Sequence, residues 1–256
     1  MWDLIISGGS ITHGGWPTWK DFVSERYNIT PINLACKGQG NEVIATKAIL
    51  ESQKYNNPII AVMFTNVDKW DWYVQDLKVL KKLTKEKHTP QPVHNNDSGG
   101  YWSTGSWFPL DKEYYLKNYY SIDYQIMHTC MQIHHLKIYC ISKNIPCLIL
   151  FDSPIFEYTE QELYLNIDPD LKPKSLISPS TKPFTDLIGN YDRGLIGFCS
   201  ENNLPWYHPK YKPHPGSLAH YEYSMEYVFF ELDKYFTVVN SDQSLIAKKM
   251  DKLWYV

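Results

Sequence analysis

With 256 residues, 43% of them hydrophobic and 21% charged, the chain is long enough for one sizeable core and lacks the composition of a disordered segment. Its net charge of −3 and pI near 6.3 provide no broad electrostatic drive toward nucleic acid or an anionic membrane, so neither is an expected partner. There is no apolar run of about eighteen residues, and "MWDLIISGG" lacks a basic and then apolar leader, so a soluble, cytoplasmic protein is expected.

In chain order, apolar strand-like runs alternate with longer segments of helical period, the pattern of a parallel sheet covered by helices on both faces. The strands expected are Asp3 to Ser7, Ile32 to Ala35, Ile59 to Phe64 and Cys147 to Phe151, with a weaker fifth at Leu204 to Tyr207. Helices are expected over Trp16 to Tyr27, Asn41 to Tyr55, Lys112 to Asn144, Pro183 to Asn202 and Gly216 to Phe236, the third being long enough to break. Residues 1–256 read as a single α/β domain. Two excursions, at about 85–111 and 166–183, are rich in Gly, Ser, Asn and Pro and would rise above the sheet. The short basic stretch from Leu77 to His88 reads as a solvated helix face.

The five cysteines, Cys36, Cys130, Cys140, Cys147 and Cys199, are odd in number and form no CxxC pair, so they read as reduced packing residues. Nine Trp, twenty Tyr and ten Phe, many in polar company as in "DKWDWYVQD" and "GGYWSTGSWFP", could include platforms for a sugar, although aromatic side chains more often fill cores.

In an open α/β sheet, ligands bind outside the carboxyl ends of the strands, so residues just after each strand converge in space. After the first strand stands Ser10, within "SGGSITHGG". After the second comes "CKGQGN", where Gly38 and Gly40 permit a tight turn with its backbone N–H groups facing a ligand. The third strand ends in "MFTN", placing Asn66 at the same rim, and "KPHPGSLAH" brings His214 to the start of a late helix. A hydroxyl, an imidazole, backbone donors and a side-chain amide are the inventory of acyl transfer. A serine needs a base to remove its proton, and the resulting oxyanion needs preorganised donors, each worth roughly 3 to 4 kcal/mol of barrier. Ser10 and Gly38 would supply N–H groups and Asn66 its amide.

These four stretches resemble, in order, the four blocks of SGNH (GDSL-like) hydrolases. The resemblance implies a three-layer α/β/α, flavodoxin-like fold with a central parallel sheet. It also implies hydrolysis of esters, commonly of carbohydrates or lipids, with Ser10, Gly38, Asn66 and His214 as the functional residues. The short, tyrosine-rich sequence also resembles bacteriophage-encoded members, for which association with a virion would be a second location. The chain departs from the family pattern in three places. Gly9 stands where the family has Asp, the third block reads Phe64-Thr65-Asn66-Val67, and Tyr211 replaces the Asp three residues before the histidine. That acid normally fixes the imidazole tautomer. A Ser-His dyad, or a carboxylate borrowed from Asp152 or Asp192, would answer its loss, and a degenerate site that binds without reacting is the alternative.

Competing residues have simpler readings. His208 offers a second His-Pro pair, but "GSLAHYEYSMEYV" aligns with the last block only from His214. His220 reads as a helix residue that packs or bonds locally, and His13 as a loop residue near the nucleophile. His128, His134 and His135 lack metal-site spacing, so they read as helix surface or core. Neither a nucleotide-binding loop nor GxSxG is present, and the reading requires no metal or organic cofactor. The expected substrate is an acyl or acetyl ester of a small molecule or carbohydrate; the oligomeric state is left open.

Overall fold

A computed structural model describes residues 2–67, 69–74, 100–104, 121–153, 179–188, 194–204 and 214–254. Four parallel strands form the main sheet: β1 (Asp3–Gly8), β2 (Ile32–Asn33), β3 (Pro58–Phe64) and β6 (Cys147–Phe151), in the order β2-β1-β3-β6. A separate antiparallel pair joins β4 (Trp70–Val74) to β5 (Gly100–Thr104). The helical elements are α1 (Ser10–His13), α2 (Trp19–Tyr27), α3 (Asn41–Ser52), α4 (Ile122–Lys143), α5 (Lys182–Ile188), α6 (Gly194–Glu201) and α7 (Ser217–Tyr223). A π-helical turn, Ser224–Val228, follows, then α8 (Phe229–Leu232) and α9 (Ser244–Trp254). The class is therefore α/β with a four-stranded parallel sheet, as the alternating pattern predicts.

All seven residues of β3 are buried, as an unbroken apolar run in a parallel sheet requires. Its odd-numbered residues Ile59, Ala61 and Met63 join Leu4 and Ile6 against α2, α6, α7 and α8. Ile60, Val62 and Phe64 pack with Phe151 against α3 and α4. Burying each large aliphatic or aromatic side chain contributes about 1.5–3 kcal/mol, so these two clusters hold helices to opposite faces of the sheet. The strand order reverses between β1 and β3, the topological position beyond whose carboxyl ends open α/β sheets bind ligands.

Several boundaries differ from the expectation. The second helix begins at Trp19 rather than Trp16, because Thr18 is extended and its N–H is taken by the Asp21 carboxylate at 2.8 Å. Strand β2 stops at Asn33, whose side-chain oxygen accepts the Ala35 N–H and turns the chain. The long helix starts at Ile122, with Ser121 capping Tyr124 N–H, and 112–120 lie outside the described residues. Helix α3 ends at Ser52 rather than Tyr55, where the Ser52 hydroxyl turns back onto the Ile49 carbonyl. The expected helix over 183–202 is two helices, with Gly194 in a left-handed conformation (φ +67°) opening the second. Leu204 is not in a strand: its N–H bonds back to the Cys199 carbonyl after Asn203 reverses the chain. Strand β5 lies inside the excursion expected at 85–111, and neither β4 nor the C-terminal helix α9 was anticipated. The basic stretch 77–88, residues 205–207 and most of 166–183 lie outside the described residues. None of the five cysteines is in a disulfide. No helix among the described residues is long and apolar enough to cross a membrane.

Candidate active site

Strand β1 delivers the chain to Gly8, Gly9 remains extended, and Ser10 is the first residue of the single-turn helix α1, closed by His13 N–H on Gly9 O and Gly14 N–H on Ser10 O. The first amides of a helix have no partner within it, and the Ser10 N–H makes no bond inside α1. Gly8 is fixed by crowding, since a Cβ there would lie 2.7 Å from Thr12 Cβ. Thr12 in turn accepts the Trp19 indole N–H on its hydroxyl and the Thr18 hydroxyl on its carbonyl. The turn that carries Ser10 is thus bolted to the start of α2.

His214 precedes Pro215 and Gly216, and Gly216 is the extended N-cap of α7. Its Nε2 lies 3.1 Å from Ser10 Oγ, although 204 residues separate them in the chain. A serine hydroxyl donating to Nε2 leaves the imidazole proton on Nδ1, the tautomer a base needs. The Trp16 ring meets the imidazole edge-on, with centroids 5.4 Å apart and planes at 82°, restricting its rotation.

His220, in the first turn of α7, behaves oppositely. It is fully buried and its Nδ1 accepts the Trp19 N–H at 3.3 Å. Burial, reinforced by the nearby His214 and Lys20 charges, pushes its pKa down to about 3, so it stays neutral. Its role is packing plus one hydrogen bond, as the sequence suggested.

The other predicted residues reach the same rim. Gly38 sits in a turn at φ +79° with open space where a Cβ would be. The turn is joined to β1 by Cys36 N–H on Gly8 O at 3.1 Å. Asn66 follows β3 and is half-buried, and among the described residues its amide oxygen has no hydrogen-bond partner. The three strand ends meet around Gly9, where a Cβ would lie 3.8 Å from both the Gln39 carbonyl and the Thr65 side chain. A Cβ at buried Gly9 would make ordinary van der Waals contacts, so the Cβ by itself does not demand glycine there.

Of the carboxylates considered behind His214, Asp152 is buried at the end of β6 and accepts the Ser153 hydroxyl at 2.9 Å. Asp192, Tyr211 and His208 lie outside the described residues. His13 is the last residue of the turn that carries Ser10, rather than a loop residue, and its Nδ1 lies 3.0 Å from the Ala35 carbonyl. His128 stacks on Tyr124 and lies 3.7 Å from Glu42; it and its neighbours His134 and His135 are on α4, remote in sequence from the four blocks.

Sequence reasoning missed Trp16, Gln39, Asn41 and Asp71. Gln39 and Asn41 had a visible signal: two amide side chains, one between the glycines of the turn and one just after them. Trp16 and Asp71 had none, because each depends on a contact across the fold. Neither the models of known protein families nor the curated proteins with which the chain was compared gives a match.

Proposed function

We propose that this chain is a serine hydrolase of the SGNH type, in which Ser10 attacks an ester carbonyl. The observation that carries the reading is the 3.1 Å hydrogen bond between Ser10 Oγ and His214 Nε2, at the carboxyl end of the first strand beside a preformed glycine turn. In this reading His214 accepts the serine proton at Nε2 as the Oγ–C bond forms, then returns it to the departing alcohol. Water repeats the sequence to release the acid. The Ser10 N–H, the Gly38 N–H and the Asn66 amide would take the oxyanion. The strand order β2-β1-β3-β6 with helices on both faces suits the three-layer, flavodoxin-like version of the α/β class.

With Tyr211 in place of the acid before His214, the machinery is a Ser-His dyad or a triad completed by a carboxylate from elsewhere in the chain, with Trp16 limiting imidazole rotation. The expected substrate is an acyl or acetyl ester on a small molecule or carbohydrate, supported by the aromatic content of the chain. The alternative, a binding protein with an inert site, is favoured by Tyr211 alone. Hydrolysis of p-nitrophenyl acetate by the wild type, Ser10→Ala and His214→Ala separates the two. The hydrolase reading expects turnover by the wild type and a loss of at least about a thousandfold in each variant. Equal rates for all three contradict it.

A further inference from the structure

The turn that holds Gly38 is latched on both sides by the side chains next to it. Gln39 is 1% exposed, and its Nε2 donates to the Gly8 carbonyl at 2.7 Å and to the Leu34 carbonyl at 3.3 Å. Its Oε1 accepts from Lys47 Nζ, on α3, at 2.6 Å. An ammonium can only donate, so Lys47 fixes which end of the amide faces which way and commits Nε2 to the two carbonyls. Gly8 is two residues before Ser10. Gln39 therefore ties the turn directly to the segment that carries the serine.

Asn41, 2% exposed, makes the complementary connection. Its Oδ1 accepts the Thr65 N–H at 2.8 Å, and its Nδ2 donates to the Thr65 carbonyl at 2.9 Å and to Thr129 Oγ1 at 3.2 Å. Both backbone groups of Thr65 are satisfied by one side chain, as a neighbouring strand would satisfy them, at a point beyond the last β1–β3 pair. Asn66 is the next residue. From the opposite side, Asp71 on β4 accepts the Gly40 N–H and the Val43 N–H, each at 2.9 Å, and approaches so closely that a Cβ on Gly40 would lie 2.7 Å from the carboxylate.

We infer that Gln39 and Asn41 are positioning residues that set the spacing of the oxyanion site, Gln39 fixing the Gly38 turn relative to Ser10 and Asn41 fixing it relative to Asn66. The inference rests on the serine-hydrolase reading. The three donor-bearing segments come from different parts of the chain, and nothing in a parallel sheet by itself holds loops beyond strand ends to sub-ångström tolerance. Buried amides bonded within the protein keep that geometry before substrate arrives, which is the condition for donors to favour the transition state. A displacement of about 1 Å in such a site costs on the order of a hundredfold in rate. Neither side chain touches substrate in this arrangement.

The test uses Gln39→Glu, which keeps the acceptor for Lys47 but turns an oxygen toward the Gly8 carbonyl, and Asn41→Asp, which keeps the acceptor for Thr65 N–H but loses the donor. Ile133→Val, in the α4 core, measures what mild destabilisation alone does. Each protein is checked by circular dichroism and assayed on p-nitrophenyl acetate. We expect kcat to fall about tenfold to a hundredfold in both turn variants while KM stays within about twofold, and Ile133→Val to keep the wild-type kcat. If Asn41→Asp does not fold, Gln39→Glu decides alone, because Lys47 pairs its new charge. A folded Gln39→Glu with wild-type kcat, or a fall matched by Ile133→Val, overturns the inference while the wild type remains active. A wild type no more active than Ser10→Ala removes the serine-hydrolase reading and this inference with it.

Discussion

The Asn41 side chain hydrogen-bonds both the N–H and the carbonyl of Thr65, at 2.8 and 2.9 Å, and so takes the place of a strand at the end of β3. Both partners are buried. Removing the amide in Asn41→Ala leaves a buried N–H and a buried carbonyl without partners, each costing about 1–3 kcal/mol. The expected result is a loss of about 2–4 kcal/mol in urea unfolding, against less than about 1 kcal/mol for an alanine at exposed Lys143. An Asn41→Ala variant as stable as wild type would show that the amide is replaced by water.

His220 gives stability a pH dependence of predictable sign. Its folded pKa of about 3 lies below the ordinary 6.5, so as pH falls the unfolded chain takes up the proton first. The stability linked to the neutral imidazole is complete above about pH 6.5 and is lost progressively down to about pH 3, at up to about 1.4 kcal/mol per pH unit. Urea midpoints between about pH 7 and 4.5 should fall more steeply for the wild type than for His220→Gln, which does not titrate there. Parallel slopes would contradict the assignment of a buried neutral histidine.

Two glycines with positive φ should respond differently to alanine. At Gly38 a Cβ meets nothing within 4 Å, so only the left-handed backbone penalty of about 1–2 kcal/mol applies. At Gly194, φ +67°, the Cβ would lie 2.7 Å from the Ser153 backbone, which cannot yield without moving the end of β6. Gly194→Ala should therefore lose on the order of 3 kcal/mol or more, read by thermal melting, and Gly38→Ala markedly less. Equal losses would mean that α6 can shift away from β6.

The parts of this architecture legible in the sequence are those carried by local pattern. The unbroken run "IIAVMF" predicts a buried strand, and the Gly-Ser, Gly-x-Gly and His-Pro-Gly punctuation marks where chain ends converge. Ser10 and His214 could be paired because the order of the four blocks, rather than any one of them, carries information. What was not legible depends on contacts between distant residues. Strand β4 has strand-favouring Trp, Tyr and Val in "WDWYV", but the run is short, and its antiparallel pairing with a β5 about thirty residues away identifies it only in the fold. Asp71 reads as a surface carboxylate until the fold puts it on the first turn of α3, where unpaired N–H groups favour it. Helix α9 does carry helical spacing, with Ile246, Met250 and Leu253 at i, i+4 and i+7, but only its packing on α7, which buries Ala247 and leaves Leu245 exposed, shows which side is inner.

The most direct test of the account is covalent. The purified protein is treated with a fluorophosphonate, which phosphonylates only an activated serine, and the modified peptide is mapped by mass spectrometry. The account predicts one adduct, on Ser10 in the peptide containing "SGGSITHGG", absent from Ser10→Ala and strongly slowed in His214→Ala. An unmodified wild type, or labelling that is unchanged when His214 is removed, would contradict it.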